Sequence, residues 1–132
     1  MVVLKNSHDL QKMSEACRLS NAALWCVEPY MQPGVTTKEL DHIIHKFIVQ
    51  AGAKPSFLGL YGFPASACIS VNNEVIHGIP SSSVHLKDGD IVSVDVGAFY
   101  EGFHGDNAYT FQVGTVAEET RQLLTVTQES LM

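Results

Sequence analysis

The sequence predicts an α+β fold in which an antiparallel sheet carries helices packed on one face. Three observations predict it. Residues 7–52 hold two stretches whose apolar side chains recur every three or four positions. After Pro55 the pattern changes to short apolar runs broken by turn residues. The last of these runs, 91–113, folds about a two-residue turn into a long hairpin.

The first helix is expected over residues 7–31. Leu10, Met13, Cys17, Leu24, Val27 and Met31 follow the helical period, Ser7 can cap the start with Asp9 in the first turn, and Pro33-Gly34 ends the segment. A second helix begins at Thr36, because Thr36 and Glu39 form a capping box. Leu40, Ile43, Ile44, Phe47 and Ile48 make its buried stripe, and Gly52 is its stop. Both helices need a surface to bury against, and a sheet supplies it.

Residues 55–64 are a loop rich in large apolar groups: Phe57, Leu58, Leu60, Tyr61 and Phe63. Loops are normally polar and exposed, so this one either folds over the core or walls a pocket for an apolar ligand. Strands follow at 66–71 and 74–77, joined by a tight turn at Asn72-Asn73, before Gly78-Ile79-Pro80 breaks the pattern. Asp88-Gly89-Asp90 turns the chain into a strand over 91–100, Glu101-Gly102 turns it again, and 103–113 returns. A final helix covers 117–132. No internal repeat, low-complexity tract or linker interrupts the chain, which reads as a single domain over 1–132.

Composition narrows the function. Apolar residues make up 45% of the 132 residues and charged residues 17%, enough for one domain with a real core. A net charge of −6 with scattered Lys and Arg excludes a basic nucleic-acid surface. No apolar run is long enough to span a membrane, and the N-terminal apolar stretch of three residues is too short for an export signal, so a cytoplasmic location is expected. Cys17, Cys26 and Cys68 are odd in number and form no CxxC pair, which argues against disulfides and structural zinc; Cys17 and Cys26 read as small buried hydrophobes.

The chemistry concentrates in the hairpin. Asp is depleted from strands, yet Asp95 sits in Ile91-Val-Ser-Val-Asp95-Val-Gly97, and Asp106 follows in the returning strand. With Glu101 and Gly102 as the turn, Tyr100 faces Phe103, Gly97 faces Asp106 and Asp95 faces Ala108. The two acids are then diagonal neighbours on one face, with backbones roughly 7–8 Å apart. Carboxylate arms can close that gap around a metal pair roughly 3.5–4 Å across, and the small residues Gly97 and Ala108 leave room for the ions. The competing reading is a pair of solvated edge residues, and a β-bulge would break the register. His77, after an apolar run and before Gly-Ile-Pro, can ligate metal, move protons, hold a substrate carbonyl or serve structure alone. His104 shares the Asp106 face and supports it; His8, His42, His45 and His85 read as surface residues. Oxygen ligands favour Mn, Fe, Co or Zn in a hydrolytic site. No GxSxG, P-loop or GxGxxG motif supports other chemistries.

Three runs together resemble type I methionine aminopeptidases: Tyr61-Gly-Phe-Pro-Ala-Ser-Ala-Cys68-Ile-Ser-Val-Asn-Asn-Glu-Val-Ile-His77-Gly-Ile-Pro80, Leu86-Lys-Asp-Gly-Asp-Ile-Val-Ser-Val-Asp95-Val-Gly97, and Glu101-Gly-Phe-His-Gly-Asp106. The resemblance runs over essentially the whole chain. It implies the N-terminal half of a pita-bread (creatinase/aminopeptidase) fold, with the C-terminal half absent, and removal of the initiator methionine from nascent polypeptides by two-metal hydrolysis. It implies metal ligation by Asp95 on one ion and Asp106 across both, and a hydrogen bond from His77 to the substrate near the scissile amide. The methionine side chain would sit against Phe57, Leu60, Phe63 and Cys68. Many bacterial members carry Tyr at the positions of Leu60 and Phe63, or Cys at that of Phe57. The family site uses two Asp, one His and two Glu; only the two Asp are matched here. The resemblance therefore implies weak or no binding of the two divalent ions by this chain, and little activity from it alone. The alternative is a catalytically silent half-domain that self-associates or binds a partner. A proline-specific peptidase of the same fold is disfavoured by His77-Gly-Ile-Pro80 and the apolar loop before it.

Overall fold

A computed structural model describes residues 3–132. Met1 and Val2, part of the short apolar stretch at the N-terminus, lie outside the described residues.

Helix α1 spans Ser7–Trp25, shorter than its periodicity suggests. Its cap is Asn6 rather than Ser7. The Asn6 side chain accepts from the Asp9 amide, and the Asp9 carboxylate accepts from the Asn6 amide. The early end has a local cause. Pro29 lacks the amide that an α-helix needs at that point, so a 3-10 turn takes over at Glu28–Tyr30. The buried face also differs from the expected stripe. Ala16, Leu19, Ser20, Ala23 and Leu24 are buried, whereas Leu10 and Cys17 are exposed. The helix approaches the sheet through its small residues: a Cβ at Gly105 would lie 2.2 Å from the Ala16 carbonyl oxygen. Leu10 and Cys17 therefore point away from the sheet.

Helix α2, Thr37–Gln50, starts with the predicted Thr36–Glu39 capping box. Leu40, Ile44 and Ile48 are buried, with Ile43 and Phe47 packed at the margin. Gly52, at φ 78°, turns the chain out of the helix.

Four strands form one antiparallel sheet: β1 (Lys54–Pro55), β2 (Ala67–Val71), β3 (Ile91–Tyr100) and β4 (Phe103–Gln112). The two-residue β1 was not expected from the sequence. It pairs with residues 98–99 of β3, and β2 continues along the same edge of β3 at residues 92–96. β4 pairs with the other edge over its whole length. The sheet sorts residues by parity. Val92, Val94, Val96 and Ala98 of β3, Ala67 and Ile69 of β2 and Phe111 of β4 face α1 and α2 and form the core with the helices. Ser93, Asp95 and Gly97 face the other way.

The expected strand over Glu74–His77 is absent. Asn72, at φ 53°, turns the chain as predicted, but only one ladder-like bond follows, from the Ile69 amide to the Gly78 carbonyl at 2.9 Å. Gly78 lies so close to β2 that an added Cβ would sit 2.2 Å from the Ile69 oxygen. Reaching that position takes His77 into the left-handed region, φ 59°, which no regular strand allows. Helix α3, Glu118–Leu131, buries none of its residues. No helix among the described residues is long and apolar enough to cross a membrane.

Candidate active site

The site is built on the sheet face turned away from α1 and α2. The hairpin register places it. Tyr100 pairs with Phe103, Gly97 with Asp106 and Asp95 with Ala108, with no bulge between them. Asp95 and Asp106 are consequently diagonal neighbours on one face. On its other side Asp95 pairs with Cys68 of β2.

An open cavity of about 510 Å³ gathers Phe57, Leu60, Phe63, Cys68, His77, Asp95 and Asp106 on its walls. These are the seven residues singled out from the sequence. The apolar loop supplies one wall through a 3-10 turn at Leu60–Gly62, so its large side chains line a pocket rather than the core. His77 is presented by its left-handed backbone and by Gly78, whose amide donates to the Ser70 hydroxyl at 3.0 Å.

Asp95 senses its neighbour. Asp95 is half-buried, and its Oδ1 is buried with no hydrogen-bond partner. Burial, followed by the charge of Asp106, pushes the Asp95 carboxyl up to about 6, with His77 acting in the opposite direction. A buried, unpartnered carboxylate oxygen beside a second carboxylate is costly without a cation, and its oxygens suit a hard or borderline divalent ion. The donors present thus fit a divalent metal as part of its shell. Among the described residues no group of three or more His, Cys, Asp and Glu side chains could hold an ion. Cys68 lines the cavity, and burial, then the charges of Asp95 and Asp106, pushes its thiol up to about 11 in the metal-free protein.

Two expectations change. Gly97 does not leave space for ions, because the Phe57 ring and Ser56 fill it; a Cβ there would lie 2.7 Å from Phe57 Cε1 and 2.7 Å from Ser56 Cβ. Gly97 instead admits the pocket wall. His45 is not a surface residue. Its Nδ1 pairs with the Ser66 hydroxyl at 2.8 Å, while Asp41, one turn earlier, accepts from the Ser66 and Ala67 amides at 2.8 and 3.2 Å. This anchor fixes the start of β2. The i, i+4 spacing of Asp41 and His45 on the face carrying Ile44 and Ile48 was the available signal. Ser66 and the Asp41 side chain are buried, which excludes a nucleophilic role for that serine.

A second cavity, of about 380 Å³, lies on the same sheet face, between Ser70, Ser93 and Thr110 and the α3 residues Leu124, Gln128 and Leu131. Asp95 borders both cavities.

Residues 11–132 match the model of metallopeptidase family M24. The chain belongs to this family. It is 52% identical over 98% of its length to a methionine aminopeptidase of Clostridium perfringens, covering 52% of that protein. It is 47% identical over 99% of its length to methionine aminopeptidase 1 of Bacillus subtilis, again covering 52% of the relative. The crystal structure of methionine aminopeptidase from Rickettsia prowazekii superposes on all of the chain with a TM-score of 0.97 at 37% identity, and the match takes in 53% of that structure. The chain thus spans about half the length of the curated relatives it matches, and its sheet and helices are one half of the M24 pita-bread fold.

Proposed function

We propose that this M24 chain is the N-terminal half-domain of a methionine aminopeptidase, supplying the acid pair and the methionine pocket of a metal-dependent active site. The observation that carries this reading is the unpartnered, buried Oδ1 of Asp95, beside Asp106, in a cavity that the apolar loop also lines.

Asp95 and Asp106 would hold two divalent ions, of Co, Mn, Fe or Zn character, which when bound supply Lewis-acid polarisation and an activated water. Every other role falls to side chains on the cavity wall. Phe57, Leu60, Phe63 and Cys68 accept an unbranched thioether side chain by apolar contact. His77, exposed on the rim, donates to the substrate near the scissile amide and offsets charge developing there. The substrates are the N-terminal methionines of peptides and nascent proteins, which accords with a cytoplasmic setting. The two acids are two of the five ligands that the family resemblance implies, and two carboxylates by themselves would hold a pair of divalent ions weakly.

Calorimetric titration with Mn²⁺ tests the metal site. Heat in the parent chain that disappears in Asp95→Ala and in Asp106→Ala supports it; heat that survives both substitutions overturns it. Release of methionine from a Met-Ala peptide with Co²⁺ or Mn²⁺ tests the weakness of the isolated chain, since turnover equal to a full-length relative would refute it.

A second reading, self-association of a catalytically silent half-domain, is favoured by one observation. Helix α3 exposes Leu123, Val126 and Leu131 and buries nothing. A monodisperse monomer by light scattering counts against it.

A further inference from the structure

The loop that walls the larger cavity is tied to the rest of the fold at both ends, and between them its amides bond within the loop itself. Beyond its far end Asp41 and His45 hold Ser66 and Ala67. At its near end Ser56 is joined to the hairpin three times. Its amide donates to the Gly97 carbonyl at 2.9 Å. Its hydroxyl pairs with His104 Nδ1 at 2.8 Å. Its Cβ, with the Phe57 ring, covers Gly97 so closely that an added methyl would meet both at 2.7 Å. The His104 ring is itself braced against Phe99, with centroids 4.6 Å apart. Between the ties the chain passes through left-handed backbone at Gly59, Tyr61 and Gly62, and the Tyr61 side chain is fully exposed. Leu58 and Leu60 are also about half exposed, so the ends set where the wall stands.

The near tie reaches the strand that carries an acid. Gly97 is the pair partner of Asp106, and His104 precedes Asp106 by two residues on the same face. Any movement of Ser56 relative to His104 changes how far Phe57 stands from the carboxylates. We propose that Ser56 and His104 form a latch that fixes the depth of the pocket, and with it the preference for an unbranched side chain over a shorter, branched one. Both are positioning residues. Only the identity of the ligand in this proposal rests on the methionine-pocket reading above.

The test compares the parent chain with Ser56→Ala, His104→Ala and His104→Asn in the presence of EDTA. Amide exchange by NMR is read at Gly59, Leu60, Gly62 and Phe63, whose amides are hydrogen-bonded within the loop. Affinities for L-methioninamide and L-leucinamide are measured in parallel. Loss of one hydrogen bond speeds loop exchange by roughly 3- to 10-fold in both alanine variants. Exchange in β3 and β4 is unchanged, and the methionine-to-leucine affinity ratio falls toward one. His104→Asn, whose side-chain amide reaches the position of the imidazole Nδ1, keeps both readouts near the parent values. Alanine variants with unaltered exchange and an unaltered ratio overturn the latch. A parent chain that fails to discriminate between the two amides sinks the methionine-pocket reading instead, and the exchange comparison then decides the latch by itself.

Discussion

Replacing Asp95 by Asn should stabilise the metal-free protein at neutral pH, although it removes a proposed metal ligand. The folded structure lifts the Asp95 carboxyl from 3.8 to about 6 through burial and the neighbouring charge of Asp106. A group whose folded value is raised binds more protons in the native state than in the unfolded chain. Its contribution to stability is fully present below pH 3.8 and is lost as pH rises through 6. At about 1.4 kcal/mol per unit the full shift corresponds to about 3 kcal/mol; screening at this half-buried site reduces that to about 1–2 kcal/mol. Asn carries no charge and escapes the penalty. Urea unfolding in EDTA, from pH 3.5 to 7.5, measures it. The stability of Asp95→Asn minus that of the parent should climb between pH 4 and 6 and level off at about 1–2 kcal/mol, with no change in urea slope. Added Mn²⁺ should then raise the parent midpoint and leave the variant unmoved. A difference curve that stays flat with pH, or a variant less stable than the parent at pH 7.5 without metal, would refute the electrostatic reasoning.

Three other substitutions probe the frame around the acids. Gly97→Ala drives a methyl into Phe57 and Ser56 at 2.7 Å; it should cost about 1–3 kcal/mol in urea unfolding and weaken L-methioninamide binding. Asp41→Ala strands two buried amides, those of Ser66 and Ala67. It should cost about 2–3 kcal/mol, and Asp41→Asn, which retains an acceptor oxygen, should recover part of it on the same measurement. Ile44→Ala, at a fully buried position, should lower stability by about 2–5 kcal/mol in thermal or urea unfolding without altering Mn²⁺ heats.

The hairpin was legible because a two-residue turn fixes everything after it. Once Glu101 and Gly102 are placed, the pairing of Gly97 with Asp106 follows by counting. The capping box at Thr36 was legible for a similar reason, being a local bond between residues three apart. What escaped depends on contacts distant in sequence. Ser66 and His45 are 21 residues apart, and only the fold joins them. The apolar period of α1 suggested Leu10 and Cys17 as buried, but the carbonyl of Ala16 against Gly105 turns the helix onto its small residues. Residues 74–77 carry strand-like composition, and the approach of Gly78 to Ile69 overrides it. Pro29 was visible in the sequence, and its missing amide explains the early end of α1. The seven proposed site residues share a cavity because motif spacing encodes which strand and loop they occupy. Ser56 and His104 were invisible as a pair: His104 was legible on the Asp106 face of the hairpin, but its partner lies 48 residues away and only the fold joins them.

The Glu101-Gly102 turn imposes an arithmetic on the evolution of this chain. Side chains on a strand alternate between two environments, so one residue inserted just after the turn, with the turn kept at two residues, would shift the pairing by one, rotate Asp106 toward the helices and bring Asn107, which now bonds to α1, out beside Asp95. A longer loop that keeps Tyr100 opposite Phe103 spares the site, whereas a change taken up by the pairing keeps Asp106 on its face only in even steps, and even those slide the second acid along the first. A segment that looks like mere surface punctuation is thereby bound to the chemistry more tightly than many of the residues lining the pocket.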